Sequence, residues 1–185
     1  DPYPQPGHAT GRSFERELDN WSESNKSLQA IIASIYYHET GKFKSIAAIL
    51  TEIDKGKFSV LPPKEIFKDW EVQQGVFFLN KSLTTEVGKK NAHVELWKPF
   101  TEALVKDLSE NHSIKWLLWG REAQELEAFI ENKSSIIKTI HPAAFSYTGG
   151  LESEERLNRF VQESGIDLIL NALSNKQSAE MNDES

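Results

Sequence analysis

Three polar side chains in this sequence have types and positions that could act together on one small ligand. Asp1 offers a carboxylate at the start of the chain. Asn80 follows the apolar run at residues 76–79, and His141 follows the apolar run at residues 136–140. A carboxylate stabilises nearby positive charge, an amide both donates and accepts hydrogen bonds, and a neutral imidazole can donate one. Since ligands of open parallel sheets bind beyond the carboxyl ends of the strands, we predict that these groups converge on one ligand.

The elements that must position these groups follow from hydrophobic periodicity. Short apolar runs at residues 76–79, 114–119 and 136–140 are typical of buried parallel strands. Helical patterns lie between them, and the first of these has an apolar stripe made of Leu96, Phe100, Ala103, Leu104 and Leu108. The βαβαβ order predicts an α/β fold, which we expect to be a three-layer α/β/α arrangement around a short central parallel sheet.

Other periodic segments predict further helices. One apolar stripe, for which Ser27 is a candidate cap, consists of Leu28, Ile31, Ile32, Ile35 and Tyr36. A second stripe ends near Gly56, and shorter helices are expected at about residues 65–70, 153–163 and 166–173. We expect one domain over residues 1–173 and a disordered tail over residues 174–185, because the tail is polar and lacks aromatic residues.

Composition narrows the classes of protein that fit. The chain has 185 residues, 38% of them hydrophobic, which is enough for one substantial core. It contains no cysteine, and no window approaches the roughly 18–20 apolar residues of a membrane span, so we expect an intracellular protein without membrane, metal or cofactor. The net charge of −7 argues against a broad basic surface, so contacts with phosphates must be local.

Several spaced segments over residues 1–149 resemble those of the uracil-DNA glycosylases, in the order found in that family. The first segment comprises Asp1, Pro2, Tyr3, Gly7, Gly11 and Phe14. The second comprises residues 75–80, followed by Leu83, Thr84, Ala92, His93 and Trp97. The third comprises residues 117–120 with Ala123 and Gln124, and the last comprises His141, Pro142 and Ser146. Relative to that family, residues 40–57 form an apparent insertion.

The resemblance implies a role for each candidate residue in reading and releasing uracil. Asp1 would hold the attacking water and stabilise the cationic sugar, and His141 would donate a hydrogen bond to the departing base. Asn80 would read the edge of the base, Phe14 would stack on its face, and Tyr3 would exclude thymine. The alternatives are a turn-capping Asp1, an Asn80 bonded to local backbone, and packing roles for the other three.

The resemblance also implies contacts with DNA, and it includes departures from the family pattern. Ser27 and Ser146 are candidate phosphate contacts, although capping and turn roles fit equally well. Phe145 would wedge into the base stack, or else it would contact a protein. Pro4 stands where most members have histidine, and Ala143 with Ala144 replaces the usual Ser-Pro, which removes a hydroxyl.

The sequence therefore predicts a monomeric DNA-repair glycosylase that hydrolyses the bond between uracil and deoxyribose without a cofactor. Its partner is uracil-containing DNA, with a protein inhibitor or replication partner as a further expectation and the cytoplasm or nucleus as its location. Two alternatives stay open: a non-catalytic DNA-binding or replication module on the same fold, and an inactive fragment. The second follows because the chain opens inside a motif and we expect an N-terminal truncation that removes one strand.

Overall fold

The computed structural model describes residues 10–170, so the predictions for Asp1, Tyr3 and the tail lie outside the described residues. Four helices come first: α1 at Lys26–Thr40, α2 at Ile46–Asp54, α3 at Pro63–Gln74 and α4 at Val94–Asn111. Strand β1 at Trp116–Trp119, the short helix α5 at Arg121–Gln124, strand β2 at Ile136–Thr139 and helix α6 at Gly150–Glu163 follow. Residues 166–170 are again helical.

Strands β1 and β2 form a parallel sheet in which Trp116 lies opposite Ile136 and Trp119 lies opposite Thr139. Their carboxyl ends therefore meet at the same edge. Side chains alternate across the sheet, because Leu117 and Trp119 pack into the larger core whereas Leu118 packs into a smaller one.

The two cores lie on opposite faces of this sheet. The larger core contains buried side chains of α1, α3 and α6, among them Leu28, Phe67 and Phe160. The smaller core joins Val105 of α4 to Leu118 and Ile130. Helices thus cover both faces, which confirms the predicted α/β fold and its layer order.

The structure corrects one of the three predicted strands, the run at residues 76–79. Residues 76–79 are assigned to no strand, and Ser13 N–H donates to the carbonyl oxygen of Phe78 at 3.3 Å. Val76 and Phe78 pack against the larger core, and Leu79 packs against the smaller one. The segment thus keeps the side-chain alternation of a strand but lacks the ladder of hydrogen bonds that defines one.

The core-facing side of α4 also differs from the predicted stripe. Leu96 is 71% exposed and Phe100 is 49% exposed, whereas Thr101 and Val105 are buried. Thr101 and Val105 are four residues apart and so share a helix face, and the Thr101 hydroxyl donates to the carbonyl oxygen of Lys81 at 3.0 Å. This hydrogen bond lets a polar residue occupy a buried position outside the predicted stripe.

The start of α1 is capped by Asn25 and not by Ser27. The Asn25 side chain accepts a hydrogen bond from Leu28 N–H at 3.0 Å, as an N-cap residue does. Ser27 lies inside the first turn and is half-buried. No helix within residues 10–170 is both long and apolar enough to cross a lipid bilayer.

Candidate active site

The candidate site is built at the carboxyl ends of β1 and β2. Gly120 N–H donates to the carbonyl oxygen of Thr139 at 2.9 Å, and the Gln124 side-chain amide donates to the same oxygen at 2.8 Å. Gly120 has φ +91°, and a Cβ atom added there would stand 2.9 Å from Cβ of His141. Glycine is therefore required at this position, because it has the backbone freedom and the absent side chain that let His141 lie against β1.

The imidazole of His141 is held in one tautomer. Its Nδ1 atom accepts a hydrogen bond from the backbone N–H of Ala143 at 3.1 Å. A neutral imidazole that accepts at Nδ1 carries its proton at Nε2, which is then available to donate. We infer this proton position from the hydrogen-bond network.

Burial lowers the pKa of His141 below its usual value near 6.5. The positive charge of Lys90 lowers this pKa further, and the negative charge of Glu122 opposes both effects. The residue as a whole remains exposed, so a ligand can still reach the ring. The site therefore holds a neutral hydrogen-bond donor at physiological pH.

Phe14 lies beside this imidazole. The centroid of its ring is 5.8 Å from that of His141 and 5.4 Å from that of Trp119. Phe14 has φ +68°, a conformation that is uncommon for a bulky non-glycine residue and costs about 1–3 kcal/mol. Trp119 is itself held by a 2.8 Å hydrogen bond from its Nε1 to the carbonyl oxygen of Ser164. The strained backbone thus positions an aromatic ring on a fixed support.

Asn80 is tied to the same loop. Its Nδ2 donates to the carbonyl oxygen of Gly11 at 3.1 Å, and its Oδ1 accepts from Ser13 Oγ at 2.9 Å. The opposite amide orientation would set Oδ1 against the Gly11 carbonyl, so the network selects the orientation described. Within residues 10–170, one N–H and one oxygen lone pair of Asn80 have no partner.

The loop at residues 11–14 therefore connects the two candidate groups. Ser13 contacts Asn80, and the next residue, Phe14, contacts His141. Arg12 anchors the loop, because its guanidinium pairs with Glu15 at 3.1 Å and with Glu71 of α3. Asn80 and His141 are thus contacted by adjacent residues of one loop.

The remaining predicted residues are placed differently. Phe145 is only 9% exposed and belongs to the larger core, so the expectation of an exposed loop aromatic is wrong. It lies in a one-turn helix at Ala144–Tyr147, where an apolar ring gains more by packing inward than by facing water. Ser146 is exposed, and its Oγ donates to the carbonyl oxygen of Ala143 at 2.7 Å. Ser27 lies in the first turn of α1, and within residues 10–170 it makes no hydrogen bond to Asn80 or to His141.

Sequence reasoning missed three residues that shape this site. Ser13 holds Asn80 across 67 positions of the chain, and no local pattern marks that contact. Lys90 and Glu122 set the electrostatic environment of His141, but each looks like an ordinary surface charge in the sequence. Among residues 10–170, no group of three or more His, Cys, Asp and Glu side chains is placed to hold a metal ion.

Comparison with known proteins places this arrangement in a family. No family model matches the chain. The uracil-DNA glycosylase of Desulfitobacterium hafniense is 30% identical over 130 residues, which cover 68% of this chain and 58% of that protein. The uracil-DNA glycosylase of Francisella tularensis subsp. holarctica is 31% identical over 149 residues, which cover 79% of this chain and 59% of that protein.

A solved structure agrees with these relatives. The crystal structure of a mimivirus UNG variant in complex with UGI matches 75% of this chain and 44% of its own, with a TM-score of 0.52 and 26% identity. Fold and site together define an α/β protein that presents a neutral imidazole at one edge of a parallel sheet and an amide that is held by the loop beside that imidazole. The chain belongs to the uracil-DNA glycosylase family, and it spans a little under three fifths of the length of the relatives described above.

Proposed function

We propose that this chain forms the base-recognition and base-release site of an enzyme that removes uracil from DNA. The reaction hydrolyses the N-glycosidic bond of deoxyuridine, releases uracil and leaves an abasic site. The observation that carries this proposal is the fixed tautomer of His141, whose ring lies beside Phe14 in the loop that holds Asn80. Membership of the family supports it independently.

Asn80 has the two groups that distinguish uracil from cytosine. Its free N–H can donate to O4 of uracil, and its free lone pair can accept from N3–H. Cytosine presents an amino donor and an acceptor at these positions, so the same amide would be left with two mismatched groups. Phe14 offers the flipped base a surface on which to stack.

His141 supports bond cleavage through the negative charge that develops on the leaving base. Its Nε2–H donates to O2 of uracil, and that hydrogen bond strengthens as the glycosidic bond breaks. A neutral donor suits this role because it stabilises the uracil anion without transferring a proton to it. Burial, which lowers the pKa of His141, keeps the ring in that form.

Two residues of the proposal, Asp1 and Tyr3, lie outside the described residues. The resemblance assigns Asp1 to holding the water and stabilising the cationic sugar, and it assigns Tyr3 to crowding the position of the thymine methyl. Ser27 and Ser146 remain proposed phosphate contacts. We also propose that a protein inhibitor can occupy the same surface, because a mimivirus UNG is in complex with UGI. The monomeric state and a location inside the cell or nucleus are part of the same proposal.

Release of uracil is tested with single-stranded DNA that contains one uracil, followed by alkaline cleavage of the product strand. The chain and a longer polypeptide that contains it should be assayed side by side, with thymine and cytosine substrates as controls. Cleavage at the uracil position supports the enzyme. Binding without cleavage in both proteins favours the non-catalytic module, and cleavage by the longer polypeptide alone favours an incomplete site.

Replacement of Asn80 by aspartate should reduce uracil excision while leaving the fold intact. The carboxylate loses the donor to O4 and also the donor to Gly11, so about 1–3 kcal/mol of transition-state stabilisation should be lost. Excision of cytosine should be measured in parallel, because a protonated carboxyl offers the donor and the acceptor that cytosine requires. The matched control is Asn20→Asp, which makes the same change at an exposed residue without a side-chain capping bond. Equal uracil excision by both variants would contradict the base-reading role.

The pH dependence of uracil release should follow His141. Because burial lowers the pKa of His141, the acid limb of kcat/KM should have its midpoint below 6.5. His141 has a lower pKa in the folded chain than in the unfolded chain, so the unfolded chain binds the proton more readily. The free energy of unfolding should therefore decrease as the pH falls below about 6.5. Glu122→Gln should move the acid limb to lower pH, and Lys90→Gln should move it to higher pH. A midpoint at or above 6.5 would show that the donor is not this imidazole.

A further inference from the structure

Ser13 ties the loop at residues 11–14 to the segment that ends at Asn80. Its backbone N–H donates to the carbonyl oxygen of Phe78 at 3.3 Å, and its Oγ donates to the carbonyl oxygen of Leu79 at 2.7 Å. The same Oγ donates to Oδ1 of Asn80 at 2.9 Å. One residue therefore holds three consecutive residues, and the last of them reads the base in the proposed function.

The segment at residues 76–79 depends on such contacts because, within residues 10–170, it is not paired in a sheet. In a sheet, the ladder of backbone hydrogen bonds would fix the residue at the end of the strand. Here the side chain of Asn80 is fixed by the loop, because Ser13 holds its oxygen and the carbonyl oxygen of Gly11 accepts from its Nδ2 at 3.1 Å. The amide is thus held at both its oxygen and its nitrogen.

The loop can act as a support because it is itself anchored on both sides of Ser13. The guanidinium of Arg12, the preceding residue, pairs with the buried Glu15 at 3.1 Å and with Glu71 of α3. Phe14, the following residue, packs against the larger core. The half-buried Ser13 is therefore held between two fixed neighbours, and its hydroxyl stays in place against the amide.

The hydroxyl of Ser13 also strengthens the amide of Asn80 as a donor. A hydrogen bond accepted by an amide oxygen draws electron density from the nitrogen, and the N–H groups of that amide then donate more strongly. In the proposed function, an Nδ2–H of Asn80 donates to O4 of uracil. Negative charge from the broken glycosidic bond spreads over the conjugated ring to O2 and O4, so a stronger donor at O4 stabilises the transition state more than the bound substrate.

We propose that Ser13 is a positioning residue that raises the rate of uracil release by acting through Asn80. This inference rests on the proposed function, and it extends the site to a side chain that the resemblance did not identify. The amide keeps its hydrogen bond to Gly11 when the hydroxyl is removed, so binding of the substrate should persist. Loss of the hydroxyl should therefore lower kcat and leave KM nearly unchanged.

The first test is kinetic and uses whichever polypeptide releases uracil, this chain or a longer one that contains it. Ser13→Ala should slow single-turnover release of uracil from single-stranded DNA by about 2–10-fold, the range expected for one neutral hydrogen bond. Ser13→Thr should restore the rate because it keeps the hydroxyl. The matched control is Ser82→Ala, which removes a hydroxyl that donates to the carbonyl oxygen of Thr84 at 2.7 Å. This control should keep the full rate, since that hydroxyl lies in the same segment but does not bond to the amide.

The second test is spectroscopic and does not require activity. The side-chain amide ¹H and ¹⁵N resonances of Asn80, assigned by their loss in Asn80→Asp, report the hydrogen bonds at both ends of the amide. Ser13→Ala should shift these resonances, whereas Ser13→Thr and Ser82→Ala should leave them close to their original positions. Added uracil should shift the same resonances in the original protein. The circular dichroism spectrum and melting temperature of each variant show that it is folded.

Unshifted Asn80 resonances in Ser13→Ala would overturn the contact, and an unchanged rate of uracil release would overturn the positioning role. A loss of rate that Ser82→Ala shares, or that Ser13→Thr does not restore, would also overturn it, because the hydroxyl of Ser13 would then not be the cause. The proposed function fails separately. If Ser13→Ala shifts the Asn80 resonances but uracil never does, and no polypeptide releases uracil, Ser13 holds the amide but the amide does not read the base.

Discussion

Replacement of His141 by alanine should slow uracil release by about 10²–10³-fold, the usual loss when one preorganised hydrogen-bond donor to a developing anion is removed. The affinity for DNA should change far less. The hydrogen bond from Nε2 gains strength only as charge accumulates on the leaving base, so it contributes little to the ground-state complex. Single-turnover rates at saturating protein isolate the chemical step from binding and product release.

The control for this change is His112→Ala, which removes an exposed imidazole at the end of α4, away from the site. His112→Ala should retain the full rate. His141→Gln should retain part of it, because an amide N–H can still donate. A collapse of DNA binding with an unchanged single-turnover rate at saturation would show that His141 binds DNA and does not act on the leaving base.

Replacement of Phe145 by alanine should reduce the free energy of unfolding by about 3–5 kcal/mol, the usual cost of removing a buried aromatic ring. Phe145 belongs to the larger core, and its carbonyl oxygen accepts hydrogen bonds from Ser153 Oγ at 2.8 Å and from Thr148 Oγ1 at 3.3 Å. The ring and the backbone of this residue therefore both stabilise the loop that follows His141. Denaturant unfolding measures the change directly.

Tyr147 provides the matched control because it lies two residues further along the same loop and is 77% exposed. Tyr147→Ala should change stability by no more than about 0.5 kcal/mol, as for other exposed positions. The ratio of excision from duplex and single-stranded substrates should be measured for both variants. An unchanged stability in Phe145→Ala, combined with a loss confined to duplex DNA, would show that Phe145 is an exposed wedge after all.

Local patterns in the sequence determined most of the elements and the identity of the residues at strand ends. Apolar spacing predicted α1 and α2, and the runs at residues 114–119 and 136–140 predicted the two strands. Once two strands are parallel, their carboxyl ends meet, so His141 and Gly120 had to lie at one edge. These features depend on residues only a few positions apart, so they can be predicted from the order of residue types in the sequence.

Contacts between distant segments were decided by the tertiary structure. Asn80 meets Ser13 across 67 positions and Gly11 across 69, and the carbonyl oxygen of Gly11 fixes the orientation of its amide. Phe145 faces inward because the larger core offers it apolar neighbours, and Thr101 is buried because the Lys81 carbonyl satisfies its hydroxyl. Burial and hydrogen-bond partners are properties of the packed molecule, and a residue type alone is compatible with either environment. Only the packed structure therefore shows that Phe145 is buried in the core whereas Tyr147, in the same loop, is exposed.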